Sequence, residues 1–279
     1  MELNILKFIR NLIGKKKHKL NLGKAEDNVL DLKQEISMTS FSEEVREPFN
    51  QPRSSGRIFH DFSFLILLMN QEKLNEPVLD FAAGSAWVSE FLVLMGFECV
   101  AFDIHPNLEN IRKQRIESNP KLNKEKFHVK QGDGHEMPFE NSTFGSILTF
   151  DSLHHMHDYN KVFEEFYRVL QKKGRAIFVE PGARHSKSPE TIAFLKVMEH
   201  DPTWIERDVV LDEIDSIAKK AGFKKGVTII PTQHPLSQTR FTMNEWNEFR
   251  DDKGASRKRF CDKFFNDNYN ERIVFYVEK

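Results

Sequence analysis

The sequence predicts an α/β fold, a doubly wound and mostly parallel sheet of seven strands preceded by an N-terminal helical extension. Two observations predict it. From about residue 58 onward, short apolar runs alternate with longer runs whose apolar side chains recur at helical spacing, and strands alternating with helices specify a parallel sheet covered on both faces. An aspartate also closes or directly follows each of the first four short runs, at Asp80, Asp103, Asp133 and Asp151. In an open α/β sheet the carboxyl ends of the strands are where ligands bind. At 279 residues the chain has room for one large domain with appendages.

The first 20 residues stand apart. Leu3, Ile5, Leu6, Phe8, Ile9, Leu12 and Ile13 recur at helical spacing, followed by Lys15, Lys16, Lys17 and Lys19. This apolar stretch is shorter than the ~20 residues that span a bilayer. Its charges follow the apolar run, unlike those of a secretion signal. Two readings stand, a helix lying on a membrane surface and a helix docked on its own domain or on a partner. Residues 21–56 are polar, end in Pro48, Pro52, Ser54, Ser55 and Gly56, and read as a linker or lid. Residues 1–56 are therefore set apart from a main domain over 57–279.

Within that domain a helix is expected over about 58–74, with Phe62, Leu65, Ile66 and Met69 on one face, before a short strand ending at Asp80. A helix over 86–95, a strand over 97–103 and a helix from Pro106 to about 118 follow, proline being well suited to a first helical turn. Strands over 127–131 and 146–150, a helix over 158–171 and a strand over 175–180 come next. A helix over 209–221 stops at Gly222, and strands over 226–231 and 272–277 complete the seven. Residues 233–271 form a charged, aromatic connection too long for a hairpin, read as an insertion or cap.

Composition limits the function. Hydrophobic residues at 39% and charged residues at 30% exclude a disordered chain and an integral membrane protein. With 41 Lys and Arg against 42 Asp and Glu there is no basic footprint, so nucleic acid is not an expected partner. Cys99 and Cys261 are too few for a disulfide framework or a cysteine-rich zinc site, which points to a cytoplasmic protein.

The turn after the first strand reads Asp80-Phe-Ala82-Ala-Gly84-Ser-Ala86-Trp87. A nicotinamide dinucleotide needs three glycines there, and Asp80 would oppose its pyrophosphate at short range. A ligand carrying an ammonium suits Asp80 better. Asp103, 103 − 80 = 23 residues on, is placed to accept hydrogen bonds from two ribose hydroxyls. An amino acid, a ribose and an adenine in a row describe S-adenosylmethionine.

Residues 77–182 resemble the class I S-adenosylmethionine-dependent methyltransferases that act on small molecules. The resemblance rests on Val78-Leu-Asp-Phe-Ala-Ala-Gly-Ser85, Ala101-Phe-Asp103, Gly132-Asp-Gly134 with Met137-Pro138-Phe139, Phe144-Gly-Ser-Ile-Leu148, Asp151-Ser-Leu-His-His155 and Leu170-Gln-Lys-Lys-Gly174. It implies a Rossmann-like fold and methyl transfer from S-adenosylmethionine to a small-molecule or saccharide acceptor. It places Asp80, Ala82 and Gly84 near the methionine moiety and Asp103, with Ile104 beside it, at the ribose. Asp133 falls at the adenine amino group, with Gly134 and His135 flanking the base, and Asp151 and Ser152 line the methionine side and the acceptor mouth. Ala82 and Ala86 stand where the family has glycines, and alanine disfavours positive φ. A displaced loop or weakened cofactor binding is therefore expected, and the alternative function is a non-catalytic binding module that keeps the fold.

Methyl transfer from an already activated sulfonium requires no metal, so no metal ligands are assigned. The protein supplies positioning and, for a hydroxyl acceptor, a base. The base candidates are His154, His155 and Glu180, with His157 and His185 nearby. Arg57 and His60, ahead of the sheet, are candidates to touch ligand. Glu180-Pro-Gly-Ala-Arg-His-Ser186 and the stretch from His200 to Asp208 resemble methyltransferases found alongside bacterial surface-glycan enzymes. A sugar acceptor would use their polar groups and an aromatic face such as Trp204. The basic N-terminal helix would then hold the enzyme near membrane-bound carriers, each basic residue near an anionic surface contributing ~1 kcal/mol.

Overall fold

The computed structural model describes residues 46–49, 52–71, 76–197, 205–230, 242–251, 254, 258–259, 261–262 and 272–279. The chain divides into two units, 1–43 and 44–279, and the described residues belong to the second. The N-terminal helix expected over 1–20, Trp204 and most of the 233–271 segment lie outside the described residues.

The first described helix, α1 (Pro52–Gln71), begins six residues before the expected start. Pro52 supplies the reason, since a proline in the first turn lacks only an N–H that would have no helical partner. Pro52, Ser54, Ser55 and Gly56 are thus helical residues, and Phe62, Leu65 and Leu68 form the helix's buried stripe. The strands and helices then alternate as β1 (Val78–Phe81), α2 (Trp87–Leu94), β2 (Cys99–Asp103), α3 (Leu108–Ser118), β3 (Phe127–Gln131), β4 (Phe144–Phe150), α4 (Tyr159–Val169) and β5 (Leu170–Pro181). There follow α5 (Pro189–Val197), which the sequence pattern does not announce, α6 (Leu211–Ala221), β6 (Thr228–Ile230), α7 (Met243–Asp251) and β7 (Arg272–Glu278). α3 starts at Leu108 because the chain first turns from His105 to Leu108. Gly222, at φ 119°, ends α6 in the left-handed conformation.

The seven strands form one sheet in the order β3-β2-β1-β4-β5-β7-β6. β1 pairs in parallel with β2 on one side and β4 on the other, and only β7 runs against its neighbours. The chain order reverses between β1 and β4, so a crevice opens at the carboxyl ends of those two strands. The central strands are buried on both faces, so β1 and β4 carry apolar residues on both faces rather than alternating with exposed polar ones.

Phenylalanine fills this core. Phe163 of α4 stacks on Phe178 of β5 at 5.5 Å, and Phe178 stacks on Phe275 of β7 at 4.5 Å, tying helix and strands together. Such pairs add about 0.5–1.5 kcal/mol beyond their buried area. α4 starts where the Asp158 carboxylate accepts hydrogen bonds from the backbone N–H groups of Asn160 and Lys161. Among the described residues no helix is long and apolar enough to cross a membrane.

Candidate active site

The turn leaving β1 takes three left-handed residues in five, Ala82 at φ 53°, Gly84 at 49° and Ala86 at 55°. Two of them are alanines, each bearing a steric cost of roughly 1–2 kcal/mol. Tertiary hydrogen bonds hold the turn regardless. The Ala83 N–H donates to the Phe102 carbonyl (3.0 Å), and the Gly84 N–H donates to Asp103 Oδ2 (2.7 Å). Asp103 Oδ1 accepts from the His105 N–H (2.8 Å), so a single carboxylate joins the ends of β1 and β2. Ile104 beside it is an apolar side chain 70% exposed at the rim of the crevice.

Asp80 sits inside. Its Oδ2 accepts from the Ser89 backbone N–H (3.0 Å) and hydroxyl (2.6 Å), fastening β1 to the first turn of α2, and the residue is 2% exposed. This is where the structure puts the carboxylate expected at a ligand ammonium. Burial pushes its carboxyl up to about 7, against the two hydrogen bonds from Ser89. A carboxyl raised in the folded state favours folding while protonated. The contribution is therefore full below the ordinary value of 3.8 and is lost as pH rises through about 7. Thermal unfolding across this range should show wild type losing stability relative to Asp80→Asn, by on the order of 4 kcal/mol. Parallel pH profiles for the two proteins would contradict this placement.

The next turn, Gly132-Asp133-Gly134, is fixed by aromatic rings. A Cβ on Gly134 would stand 2.5 Å from the Phe81 ring, and one on Gly132 would stand 2.8 Å from the Phe102 ring. These glycines let the turn lie against the ends of β1 and β2. Gly134→Ala should therefore cost about 1–3 kcal/mol through overpacking, and a denaturant midpoint equal to wild type would refute that. Asp133 Oδ1 accepts from the His135 N–H (2.9 Å) and from its Nδ1 (2.7 Å), while the Asp158 N–H donates to His135 Nε2 (3.2 Å) and so sets the tautomer. The backbone bond from His135 is the main reason the exposed Asp133 carboxyl lies below its ordinary range.

At the end of β4, Asp151 (φ 50°) lies between two arginines. Its Oδ2 accepts from Arg57 Nη1 (2.8 Å) and its Oδ1 from Arg272 Nη1. Arg57 Nη1 also pairs with Asp61 Oδ2 at 3.2 Å, and Arg272 Nη2 pairs with the same oxygen at 2.8 Å. α1, β4 and β7 are thereby lashed together by two arginines and two aspartates. Burial alone would raise the Asp151 carboxyl, but Arg272 and Arg57 outweigh it and hold the group far below the carboxylate range. His60 Nδ1 lies 3.1 Å from Asp61 Oδ1, extending the network. Ser152, next along, donates its hydroxyl to the Phe81 carbonyl (3.3 Å).

The base candidates converge one strand further on. Glu180, fully buried at the end of β5, accepts from the Ser152 and Leu153 N–H groups (3.2 and 2.9 Å) through Oε1 and faces His154 Nδ1 (2.9 Å) through Oε2. His154 Nε2 lies 3.3 Å from Glu206 Oε2, and His185 Nε2 lies 2.6 Å from the same oxygen. His155 Nδ1 faces the Ile205 carbonyl (2.9 Å), with Glu206 Oε1 at 3.7 Å. Burial works against protonation of His154, yet the hydrogen bonds to Glu180 and Glu206 carry it up to about 9, whereas burial and the adjacent His154 pull His155 down. His154, His155, Glu180 and His185 thus come together, as the strand order requires. Asp80, Asp103, Asp133 and Asp151 end up in separate networks, spread over the carboxyl ends of β1 to β4. Glu206 joins the cluster without having been a sequence candidate.

The methyltransferase domain family matches residues 79–178, from the first strand of the sheet to the middle of β5. Over those residues the chain is similar to the methyltransferase domain family, and its sheet has the Rossmann-like order. Curated relatives include the demethylmenaquinone methyltransferase of Corynebacterium glutamicum, 31% identical over 108 residues, which are 39% of this chain and 43% of that protein. The Thermotoga maritima protein of the same name is 30% identical over 118 residues, 42% of this chain and 46% of that one. The chain thus spans less than half the length of these relatives. Among solved structures, an S-adenosylmethionine-dependent methyltransferase from Archaeoglobus fulgidus has a TM-score of 0.53 at 15% identity, covering 78% of this chain and 92% of that one. Haemonchus contortus phosphoethanolamine N-methyltransferase 2, solved with S-adenosyl-L-methionine, has a TM-score of 0.52 at 14% identity, covering 86% and 60%. At these identities the structures share the fold.

The methyltransferase domain as matched contains Asp80, Asp103, Asp133, Asp151, His154 and His155, but ends before Glu180, His185 and Glu206. The turn after β1 is left-handed at both Ala82 and Ala86.

Proposed function

We propose that this chain transfers a methyl group from S-adenosylmethionine to a hydroxyl of a small molecule or saccharide. The observation that supports it most is the Asp103 carboxylate, joined to the Gly84 N–H at 2.7 Å in the mouth of the β1 turn. It lies at the same edge of the sheet as the cluster of His154, His155, Glu180 and Glu206. The cofactor would lie along the ends of β1 to β3. Asp103 would take the ribose hydroxyls, exposed Ile104 an apolar face of the adenine, and Asp133 its amino group. Ala82, Gly84 and Gly134 would allow the ligand's close approach, and Asp80 would hold the turn from beneath. The acceptor oxygen would attack the methyl carbon in line with the breaking carbon–sulfur bond, with its proton passing to the histidine and glutamate cluster.

The acceptor side, with Arg184, His185 and the residues up to Asp208, offers the many polar partners a hydroxyl-rich ligand needs. We further propose a main domain over 57–279, residues 233–271 capping the acceptor, and cytoplasmic residues 1–20 making peripheral contact with a membrane through six basic side chains against Glu2. The relatives' name suggests a demethylated quinone as the rival acceptor. Release of S-adenosylhomocysteine should be followed with nucleotide sugars, oligosaccharides and a demethylated quinone in parallel. Turnover with a saccharide is the expected result, and turnover with the quinone alone would defeat the glycan reading. Co-sedimentation with anionic vesicles should require residues 1–20, and identical behaviour of the full and truncated chains would remove the membrane contact.

The second reading, a binding module without catalysis, is favoured by one observation, the two alanines held at left-handed positions of the cofactor turn. It predicts that no acceptor is methylated.

A further inference from the structure

The group of imidazoles at the ends of β4 and β5 is built like a ligand set. One nitrogen each of His154 and His155 and one oxygen of Glu206 lie within 4.8 Å of one another. His154 approaches Glu206 Oε2 through Nε2 (3.3 Å), and His155 approaches Glu206 Oε1 through Nδ1 (3.7 Å). His154 directs Nδ1 to Glu180 Oε2 (2.9 Å) and His155 directs Nδ1 to the Ile205 carbonyl (2.9 Å). A carbonyl can only accept, so His155 donates through Nδ1 and, when neutral, carries its lone pair on Nε2; His154, lying between Glu180 and Glu206, would release its Nε2 proton to take an ion. Glu206 has an orienting partner as well. Ser188 Oγ donates to Thr191 Oγ1 (2.9 Å), which leaves the Thr191 hydroxyl to donate to His185 Nδ1 (3.3 Å), so His185 Nε2–H donates to Glu206 Oε2 (2.6 Å). Carboxylate and carbonyl acceptors behind the imidazoles, and a donor on the carboxylate, are the outer contacts that hold metal ligands in place.

We propose that His154, His155 and Glu206 bind a divalent first-row transition ion, with Glu180, the Ile205 carbonyl and His185 orienting the three ligands. Two histidines and one carboxylate suit zinc or iron(II) and leave coordination positions open to an external ligand. The ligand side chains of His154 and Glu206 are both 6% exposed, and that of His155 is 28% exposed, so the ion would be shielded on one side and reachable on the other. An oxygen of the acceptor would fill an open position; this role, unlike the binding itself, rests on the methyl-transfer reading. The absence of a metal requirement in sulfonium chemistry gives no reason to look for such a site, and its third ligand lies outside the matched family region.

Cobalt(II) titration of the untagged full chain, without S-adenosylmethionine, reads the site through visible d–d absorption. One equivalent per chain should bind, with at least tenfold weaker binding in Glu206→Gln and in His155→Gln. His128→Ala, on the β3 surface against Glu98, should bind as wild type does. No saturable binding by wild type overturns the proposal, leaving His154 as an imidazolium held between two glutamates. Equal affinity in wild type and in the folded Glu206→Gln and His155→Gln variants overturns it too. Because the titration omits the methyl donor, a negative result leaves cofactor binding and methyl transfer to be judged by their own assays.

Discussion

Arg272→Met is expected to lower the unfolding free energy by about 3–5 kcal/mol, the usual cost of removing one partner from a buried ion network. Arg272 opens β7, is 7% exposed, and meets Asp61 of α1 and Asp151 after β4 at once. Asp61 is itself 1% exposed. Without Arg272 two carboxylates are left to share Arg57, which reaches both with a single Nη1. Methionine fills the space of the stem but neutralises neither carboxylate, so the uncompensated charge is what the experiment measures. Urea unfolding followed by circular dichroism checks this, and a loss below about 1 kcal/mol, the range of an exposed pair, would contradict it. The sign with pH is opposite to that of Asp80. The Asp151 carboxyl is held below its ordinary 3.8, so its contribution is present above that value and fades as acid protonates it.

Asp103→Ala is expected to weaken S-adenosylmethionine binding at least tenfold, since charge-assisted hydrogen bonds to ribose hydroxyls are worth ~1.5–3 kcal/mol. Its two oxygens also hold the Gly84 and His105 N–H groups, so the substitution loosens the turn as well as removing an acceptor. Two comparisons separate these effects. Asp103→Asn keeps one acceptor oxygen and should lose less affinity than the alanine variant. Adenosine, which carries the ribose but no amino-acid tail, should be weakened by Asp103→Ala as much as the full cofactor is. Unchanged affinity for either ligand would remove Asp103 from the ribose.

Much of this arrangement is legible in the sequence because it depends on local pattern. Short strand-like runs with an aspartate at or just beyond their ends mark β1 to β4, and the Gly132-Asp-Gly134 turn and the Gly222 stop follow from backbone demands that short stretches reveal. What escapes depends on distant partners. Arg272 and Asp151 are 121 residues apart, and no periodicity brings them together. Asp61 reads as one more polar position on a helix until β7 places a guanidinium against it. Glu206 lies in an irregular stretch and gains meaning only once β5 and the turn after β4 set His154 and His185 beside it. Asp80 shows the reverse difficulty. Its position at a strand end marks it as a ligand contact, and the hydrogen bonds its Oδ2 accepts from Ser89 show only once α2 is in place. Ala82 and Ala86 are the instructive pair, since local preference argues against the left-handed turn and tertiary hydrogen bonds from Ala83 and Gly84 impose it.

Calorimetric titration of the full chain with S-adenosylmethionine tests the central claim most directly, because every assignment at the ends of β1 to β3 requires that ligand. Saturable binding at one site per chain, with an affinity in the micromolar range, is the predicted result. No heat of binding at millimolar ligand, from protein shown to be folded, would contradict it.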